Sequence, residues 1–301
     1  MSNESRYQLT RDFLGRGTYA TIWRGLDYDI PERQIAIKII KLKVLSNKEL
    51  DAVQKEASIA VTLDHPNIVK CYDVVQKENE LWLIMELCTG GSMDLMFDSI
   101  SSSRTKDRES LSKHYIKQLV SAMQYLSERG IIHRDLKPSN LLLTDCRETL
   151  KLSDFGFARE LRQQDLSATI CGSPMYFSPE ILVNRKYNHS TDIWSFGVVL
   201  YYCLYGVTPF SDCKTIKELE TVHRNGKISF PKNMHLSVEA LDLLVKTLNF
   251  DANSRPSWND ISMHPWFGGE FTPKPIKKSM PIDIKKPRPP RGDTWPVLEK
   301  S

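Results

Sequence analysis

The sequence predicts an α+β protein with two unequal parts, a small β-rich part followed by a larger helical part. Residues 7–41 and two later apolar segments, KCYDVV and ELWLIMEL, have the composition and partial alternation of β-strands. From residue 90 onward apolar residues recur at helical spacing, as in SKHYIKQLVSAMQYLSERG, which ends on Gly130. A glycine at that position is a common helix C-cap.

Composition and cysteine spacing exclude several other classes of protein. The six cysteines are scattered without a C-x-x-C pair, which argues against a zinc site or a disulfide framework and indicates a reducing compartment. No N-terminal signal pattern is present, and the first residues are polar. The most apolar run, residues 193–207, is shorter than the ~20 residues of a membrane span. It predicts a buried core helix.

The last segment, residues 268–301, differs from the rest in charge. It carries eight Lys and Arg against four Asp and Glu, and it holds seven prolines. Such a basic, proline-rich composition predicts that the tail forms no core of its own. The simplest interpretation is a solvated extension; the alternative is a docking segment for a partner, an acidic lipid surface or an SH3-type groove through KKPRPPR.

The first strands enclose a glycine pair, Gly15 and Gly17, in the sequence GRGTYATI. This pair lies at a strand-to-strand turn, so it fits neither a dinucleotide-binding loop nor a Walker loop. A third glycine of a G-x-G-x-x-G pattern would stand at Ala20. Alanine is tolerated there where the backbone φ is negative and is costly where φ is positive.

A lysine, Lys38, interrupts the apolar strand segment QIAIKII. A buried lysine is costly unless an anion meets it. Residues 46–63 then have helix composition, and Ser46 with Glu49 forms a capping-box pattern. Glu56 on this helix is the expected partner of Lys38, unless Lys38 lies on an edge and extends into solvent.

A polar cluster bounded by apolar residues follows in IIHRDLKPSNLLL, and KLSDFGFAR repeats that pattern. The two carboxylates, Asp135 and Asp154, and the amide of Asn140 are the groups that phosphoryl transfer from magnesium–ATP requires. The alternative is a charged loop between two short strands. The continuation of the motif into Asp154-Phe155-Gly156 favours the catalytic interpretation.

These motifs in this order resemble the eukaryotic protein kinase family: GRGTYATI, AIK, Glu56, HRDLKPSN, DFG, SPE and DIWSFG. The resemblance covers residues 7–267. It implies the two-lobed kinase fold, with an N-lobe at about residues 7–88, a C-lobe at about 89–267 and ATP in the cleft between them. Residues 1–6 would form an N-terminal extension and residues 268–301 the basic tail.

The resemblance also implies which residues bind ATP. The expected contacts are Leu14, Gly15, Arg16, Gly17, Thr18, Tyr19, Ala20, Thr21, Ile22, Ala36, Lys38, Glu56, Met85, Glu86, Cys88 and Leu142. Lys38, oriented by Glu56, would hold the α- and β-phosphates. Met85 would be the gatekeeper, and the backbone of Glu86 and Cys88 would bind the adenine edge.

Roles in catalysis and regulation follow from the same resemblance. Asp135 would accept the proton of the substrate hydroxyl and Lys137 would neutralise charge on the transferred group. Asn140 and Asp154 would bind Mg²⁺. Thr169 would be the activating phosphorylation site, with Arg134 receiving its phosphate; the alternative is that Thr169 is an ordinary exposed loop residue.

Supporting contacts elsewhere in the C-lobe are implied by the resemblance too. Glu180 would pair with Arg255, and Asp192 would support the backbone of the catalytic loop. Cys171 is expected to be a buried, inert thiol rather than a redox-sensitive one.

Substrate preference is implied by a few positions. Lys137 and the segment CGSPMY are typical of Ser/Thr kinases, with Ser173 expected near Asp135 and Lys137, and Phe157 after the DFG motif favours serine acceptors. Arginine-directed kinases carry acidic residues at the positions of Ser92 and Ser139, so no strong arginine requirement is expected.

The segments RDLKPSNLLL, KLSDFGFAREL and ATICGSPMYFSPEIL are most similar to the autophagy-initiating ULK branch. Protein substrates and a cytoplasmic location, with recruitment to membranes as a further option, would follow; nucleic acid is not expected. The alternatives are a calcium/calmodulin- or AMP-regulated type of kinase, and a pseudokinase scaffold. The pseudokinase is disfavoured because Lys38, Asp135, Asn140 and Asp154 are all present.

Overall fold

The N-lobe is a five-stranded antiparallel sheet. The computed structural model describes residues 6–17, 20–30, 33–99, 105–154, 173–184, 188–231 and 236–268. The strands are β1 (Tyr7–Arg16), β2 (Ala20–Asp27), β3 (Gln34–Lys41), β4 (Cys71–Gln76) and β5 (Glu80–Glu86), in the spatial order β1-β2-β3-β5-β4. The prediction of a β-rich first lobe is therefore confirmed.

One helix, α1 (Asn47–Ala60), packs on this sheet. The predicted capping box is confirmed, because the Glu49 carboxylate accepts a hydrogen bond from the Ser46 backbone N–H at 2.8 Å. Burial splits the lobe into two small clusters. One contains Val53, Ala57 and Ala60 of α1 against Ile40, Cys71, Leu81 and Leu83, and the other contains Tyr7, Ile35, Ile37, Ile39, Val75, Trp82 and Ile84.

The C-lobe is mostly helical. Its elements are α2 (Met93–Asp98), α3 (Thr105–Glu128), β6 (Leu141–Leu143), β7 (Leu150–Leu152), α4 (Pro179–Asn184), α5 (His189–Tyr205), α6 (Ile216–Asn225), α7 (Val238–Thr247) and α8 (Trp258–Ser262). Strands β6 and β7 pair antiparallel as a two-stranded sheet. Short 3₁₀ turns lie at Pro138–Asn140, Ser173–Tyr176, Ala252–Ser254 and Pro265–Phe267.

Helix α5 is the centre of the C-lobe. Every residue from Thr191 to Tyr205 is buried, so the predicted core helix is confirmed as far as Tyr205, while Gly206 and the exposed Val207 lie beyond its end. The helix begins at the N-cap Asn188 and ends at Gly206, which adopts a left-handed φ of 76° that glycine tolerates without steric cost. Within the described ranges, no helix combines the length and hydrophobicity that a membrane crossing requires.

The segment between α1 and β4 fastens the N-lobe to β7. The Val69 N–H donates to the Leu152 carbonyl at 2.9 Å, and the Leu152 N–H donates to the Asn67 carbonyl at 2.8 Å. Ile68 and Leu152 form an isolated parallel bridge. The strand that leads into Asp154 is thus held directly against residues that precede β4.

Candidate functional site

A cavity of about 380 Å³ lies between the N-lobe sheet and the β6–β7 hairpin. Its lining includes ten of the residues predicted to bind nucleotide or metal, namely Leu14, Ile22, Ala36, Lys38, Glu56, Met85, Glu86, Cys88, Leu142 and Asp154. Apolar side chains form most of its walls, which suits a flat purine ring. Three charged side chains, Lys38, Glu56 and Asp154, lie at its inner end.

These three side chains form a compact charge cluster. Lys38 Nζ lies 2.9 Å from Asp154 Oδ1 and 3.8 Å from Glu56 Oε1. The predicted partnership of Lys38 with Glu56 is confirmed, and Asp154 is the nearer of the two carboxylates. Lys38 therefore occupies a charged interior position and does not extend into solvent as an edge residue.

Electrostatics favours the charged forms of Lys38 and Asp154. Burial by itself would lower the pKa of Lys38, but the charges of Asp154 and Glu56 outweigh burial and raise that pKa. The nearby Lys38 charge lowers the pKa of Asp154, whereas burial raises the pKa of Glu56. An ammonium group and a carboxylate are thus presented side by side, as the binding of phosphate groups and of a cation requires.

The catalytic loop brings Asp135, Lys137 and Asn140 together. Asp135 Oδ2 accepts hydrogen bonds from Lys137 Nζ at 2.8 Å and from Asn140 Nδ2 at 3.0 Å. Asn140 Nδ2 also donates to the Asp135 carbonyl at 2.7 Å. The three side chains are therefore held in one fixed arrangement next to the cavity.

A buried carboxylate on α5 supports this loop from below. Asp192 accepts the backbone N–H groups of His133 at 2.7 Å and Arg134 at 2.9 Å, which confirms the predicted support. Burial raises the pKa of Asp192. Arg134 has a φ of 69°, a strained backbone for a non-glycine residue, and the two hydrogen bonds help to hold it there.

The donor set at Asn140 and Asp154 fits a magnesium ion bound together with phosphates. The Asn140 side-chain nitrogen donates to the carbonyl and to the carboxylate of Asp135, and the side-chain oxygen is the atom suited to a cation. Among the described residues, no group of three or more His, Cys, Asp or Glu could hold a metal ion alone. Mg²⁺ commonly binds through one or two carboxylates plus substrate phosphates, and this arrangement suits that mode.

The glycine loop joins β1 to β2, and the residues on either side of it, Leu14 and Ile22, line the cavity, whereas its own described residues do not. Its described residues, Gly15, Arg16, Gly17, Ala20 and Thr21, lie in or beside these strands, with Arg16 paired to Thr21 and the Gly17 N–H donating to the Ala20 carbonyl at 2.8 Å. Ala20, the first residue of β2, pairs with Ile40 of β3 and is not among the described residues with positive φ. An alanine methyl group therefore meets no backbone strain at this position.

Several predicted residues lie outside the described part of the chain. These are Thr18, Tyr19, Phe155, Gly156, Phe157, Thr169, Cys171 and the tail after residue 268, and the side chain of Ser173 is likewise not described. One supporting contact of the C-lobe is described and confirmed. The Arg255 guanidinium donates to both carboxylate oxygens of Glu180, at 2.7 and 2.9 Å.

Sequence reasoning did not include some residues that the fold brings to the cavity. Val69, Cys71 and Leu95 line it without any prior prediction. Ser92 and Ser139, which were predicted only to influence substrate preference, line it as well. Lys151 was also missed, although its side chain pairs with Glu86 beside the adenine wall. The local signal was that Lys151 alternates with two buried leucines in LKL, which indicates a strand but does not identify the partner of the lysine.

Comparisons with known proteins agree with this geometry. Residues 8–267 match the protein kinase domain family. A putative serine/threonine-protein kinase R517/R518 of Acanthamoeba polyphaga mimivirus is 34% identical over 87% of this chain and 63% of its own length. The serine/threonine-protein kinase ULK3 of Rattus norvegicus is 36% identical over 86% of this chain and 54% of its own length.

A plant relative shows the same level of similarity. The serine/threonine-protein kinase ATG1a of Arabidopsis thaliana is 34% identical over 83% of this chain and 40% of its own length. The chain therefore spans less than two thirds of the length of these relatives. The family match over most of the chain agrees with the two-lobed α+β architecture and with the arrangement around Asp135. This chain belongs to the protein kinase family.

Proposed function

We propose that this chain is an ATP-dependent serine/threonine protein kinase. The observation that supports this most directly is the Lys38–Asp154 pair at the inner end of an apolar cavity, next to the Asp135–Lys137–Asn140 cluster. Phosphoryl transfer needs positioning and charge stabilisation more than covalent chemistry. The named relatives are serine/threonine-protein kinases, which supports the same activity.

The residues of this chain divide the work between binding and proton transfer. When bound, ATP with Mg²⁺ supplies the transferable phosphoryl group and neutralises part of its charge. Lys38 would bind the phosphates, and Asn140 and Asp154 would hold the cation. The Asp135 carboxylate accepts the proton of the acceptor hydroxyl, while Lys137, 2.8 Å from that carboxylate, balances negative charge close to the transfer.

Phosphate transfer to a generic protein substrate tests this activity directly. Asp135→Asn is expected to lower kcat by ~10²–10⁴-fold, since a positioned general base contributes about that much. Asp212→Asn, on an exposed C-lobe carboxylate, is the matched control and is expected to retain activity. Equal rates for the parent and Asp135→Asn would contradict the proposal.

Serine preference and a weak arginine requirement refine this proposal. Ser92 and Ser139 line the cavity and provide no carboxylate for a basic substrate side chain. Matched serine and threonine peptides test the first point, with a clear threonine excess as the contradicting result. A peptide array tests the second, and dominant selection of arginine upstream of the acceptor would refute it.

Regulation is proposed at Thr169 through Arg134. The backbone N–H of Arg134, in the catalytic loop, is held by a hydrogen bond to Asp192. A phosphate adds nearly two negative charges, which an arginine can bind. Mass spectrometry of the active protein, together with kinetics of Thr169→Ala, tests this role, and unchanged activity of the variant would oppose it.

The physiological role proposed is that of the autophagy-initiating ULK branch. Relatives named ULK3 and ATG1a support the branch at 34–36% identity. The same proposal includes cytoplasmic substrates and recruitment to membranes. It also includes contact of residues 270–301 with a partner or with acidic lipid. Phosphoproteomics after acute inhibition would test the substrates, and deletion of residues 270–301 would test the tail.

A further inference from the structure

The hinge residue Glu86 uses both oxygens of its carboxylate. Oε1 lies 2.8 Å from Lys151 Nζ, and Oε2 accepts the backbone N–H of Lys70 at 3.2 Å. The Lys151 side chain is 13% exposed and the Glu86 side chain 21% exposed. This ion pair is thus mostly removed from water, where loss of one partner is more costly than on an open surface.

The pair connects the two lobes beside the cavity. Glu86 is the last residue of β5 in the N-lobe, and Lys151 is the middle residue of β7 in the C-lobe. Lys151 stands directly opposite Leu142 across the β6–β7 hairpin, and side chains of directly opposed residues lie on the same face. Leu142 lines the cavity, so strands β6 and β7 form the cavity floor. Through its ion pair with Glu86, Lys151 connects this floor to β5, which forms the hinge side of the cavity.

The backbone at this point restricts which hinge groups can meet a ligand. The Glu86 N–H donates to the Lys70 carbonyl at 2.8 Å. The carbonyl of Glu86 and the backbone that follows it are then the groups suited to the edge of a purine. Their distance from Leu142 depends on how β5 is held relative to β7, and the Glu86–Lys151 pair is a direct side-chain bond between these strands.

We propose that Lys151 is a positioning residue that sets the affinity for ATP by holding the hinge at a fixed distance from the cavity floor through Glu86. This inference rests on the proposed function, because it concerns the same nucleotide site. Without Lys151, the Glu86 carboxylate would keep only one backbone donor in a partly desolvated position. It would then turn toward water, and the adenine slot between hinge and floor would become less well defined.

The consequence differs from that of a residue that acts on the chemical step. Asp135, Lys137 and Asn140 remain in place on their own hydrogen bonds, none of which involves Lys151. The chemical step in the ternary complex should therefore be little affected. The loss should appear as weaker nucleotide binding in the ground state and the transition state alike, which raises KM for ATP without lowering kcat.

The test compares Lys151→Met, Lys151→Arg and Lys246→Met in the whole chain. Lys246, on α7, forms an ion pair with Asp242 and serves as the matched control. Calorimetry with ATP and Mg²⁺ gives Kd, and steady-state kinetics gives KM and kcat. We expect Lys151→Met to raise Kd and KM for ATP about fivefold with kcat within about twofold. Lys151→Arg should restore most of the affinity, and Lys246→Met should match the parent.

Glu86→Gln removes the same ion pair from the other side and keeps the inference testable if Lys151→Met folds poorly; where both fold, a double-mutant cycle links them. Glu86→Gln removes the charge, keeps an acceptor for the Lys70 N–H and should also weaken ATP binding. Combining it with Lys151→Met should add little further loss, because the two changes break the same bond. Additive losses would contradict the pair as the cause.

The outcomes separate this inference from the proposed function. A parent chain that neither binds ATP nor transfers phosphate would contradict the proposed function. A parent that does both, with Lys151→Met binding ATP within about twofold of it, would overturn the inference alone. An equal loss in Lys151→Met and Lys151→Arg, or a loss confined to kcat, would overturn it as well.

Discussion

The two lobes bury their apolar residues in different ways. The N-lobe sheet has two separate small clusters, one on each face. The C-lobe has a single large cluster around α5, which also includes Leu63 and Ile68 from the segment before β4. The apolar cluster beneath the catalytic loop is thus continuous, whereas the N-lobe sheet above the cavity has a small apolar cluster on each of its two faces. This difference predicts a rigid C-lobe platform and an N-lobe that opens at a lower free energy.

Ion pairs offer the largest test of this contrast. In the C-lobe, Arg255 is fully buried and binds Glu180 through two hydrogen bonds. Arg255→Met should lower the free energy of unfolding by ~3–5 kcal/mol, because it removes a fully buried guanidinium and leaves the partly buried Glu180 carboxylate without its cation. Denaturant unfolding measures this loss.

The N-lobe provides the matched control for that prediction. Arg6 also binds a carboxylate through two hydrogen bonds, but its side chain is partly exposed, and the buried Asp27 that it binds keeps a second cation, Arg33, at 3.7 Å. Arg6→Met should therefore cost clearly less than Arg255→Met. Glu180→Gln combined with Arg255→Met should recover part of the loss, since no charge is then left unpaired. Equal costs in the two lobes would contradict the contrast.

Paired core truncations test whether the lobes open separately. Ile84 and Leu200 are both fully buried, one in an N-lobe cluster and the other in the C-lobe cluster. Either change to alanine should cost ~2–5 kcal/mol. In native-state hydrogen exchange, Ile84→Ala should speed exchange in β3 and β5 and leave α5 unchanged. Faster exchange in α5 as well would mean that the lobes unfold as one unit.

A buried histidine should make the C-lobe sensitive to acid. His223 packs against Trp194, Phe210 and Phe250, and among the described residues neither of its ring nitrogens has a hydrogen-bond partner. Burial lowers its pKa to about 3. The unfolded chain, with a histidine pKa of about 6.5, binds more protons between these values, so stability falls as pH drops through this range.

Replacing this histidine checks the pH effect. His223→Phe should reduce the change in the free energy of unfolding with pH by up to about 1.4 kcal/mol per pH unit, between the unfolded-state pKa of about 6.5 and the folded-state pKa of about 3. The exposed His189, changed to Phe, is the control and should leave the slope as in the parent. An unchanged slope in His223→Phe would show that His223 becomes protonated without unfolding.

The smallest effect is expected at Ala20, in the N-lobe sheet. Its backbone is extended and paired with Ile40, so a glycine there relieves no strain. Ala20→Gly should lower stability by ~0.5–1 kcal/mol through backbone entropy and change KM for ATP less than about twofold. A sharp gain in ATP affinity would show that the methyl group carries a penalty in the loop.

The sequence by itself determined the order of elements, the α+β class and the chemical groups of the site. Alternating apolar strands, helical spacing and the capping pattern at Ser46 and Glu49 are local signals that depend on near neighbours. The motifs around Lys38, Asp135 and Asp154 likewise carry their chemistry in a few adjacent letters. These signals also indicated the buried helix that became α5, whereas the pairing of Glu180 with Arg255 was implied by the resemblance to protein kinases.

Only the tertiary structure decided which distant residues meet. Lys38 lies nearer to Asp154 than to Glu56, and Lys151 of the C-lobe pairs with Glu86 of the N-lobe. No local sequence pattern indicates either arrangement. The interior around His223 and the cavity lining at Cys71 are equally products of packing. The physical reason is that local pattern fixes the face a side chain takes on its own element, whereas its partner and dielectric surroundings depend on how separate elements pack together.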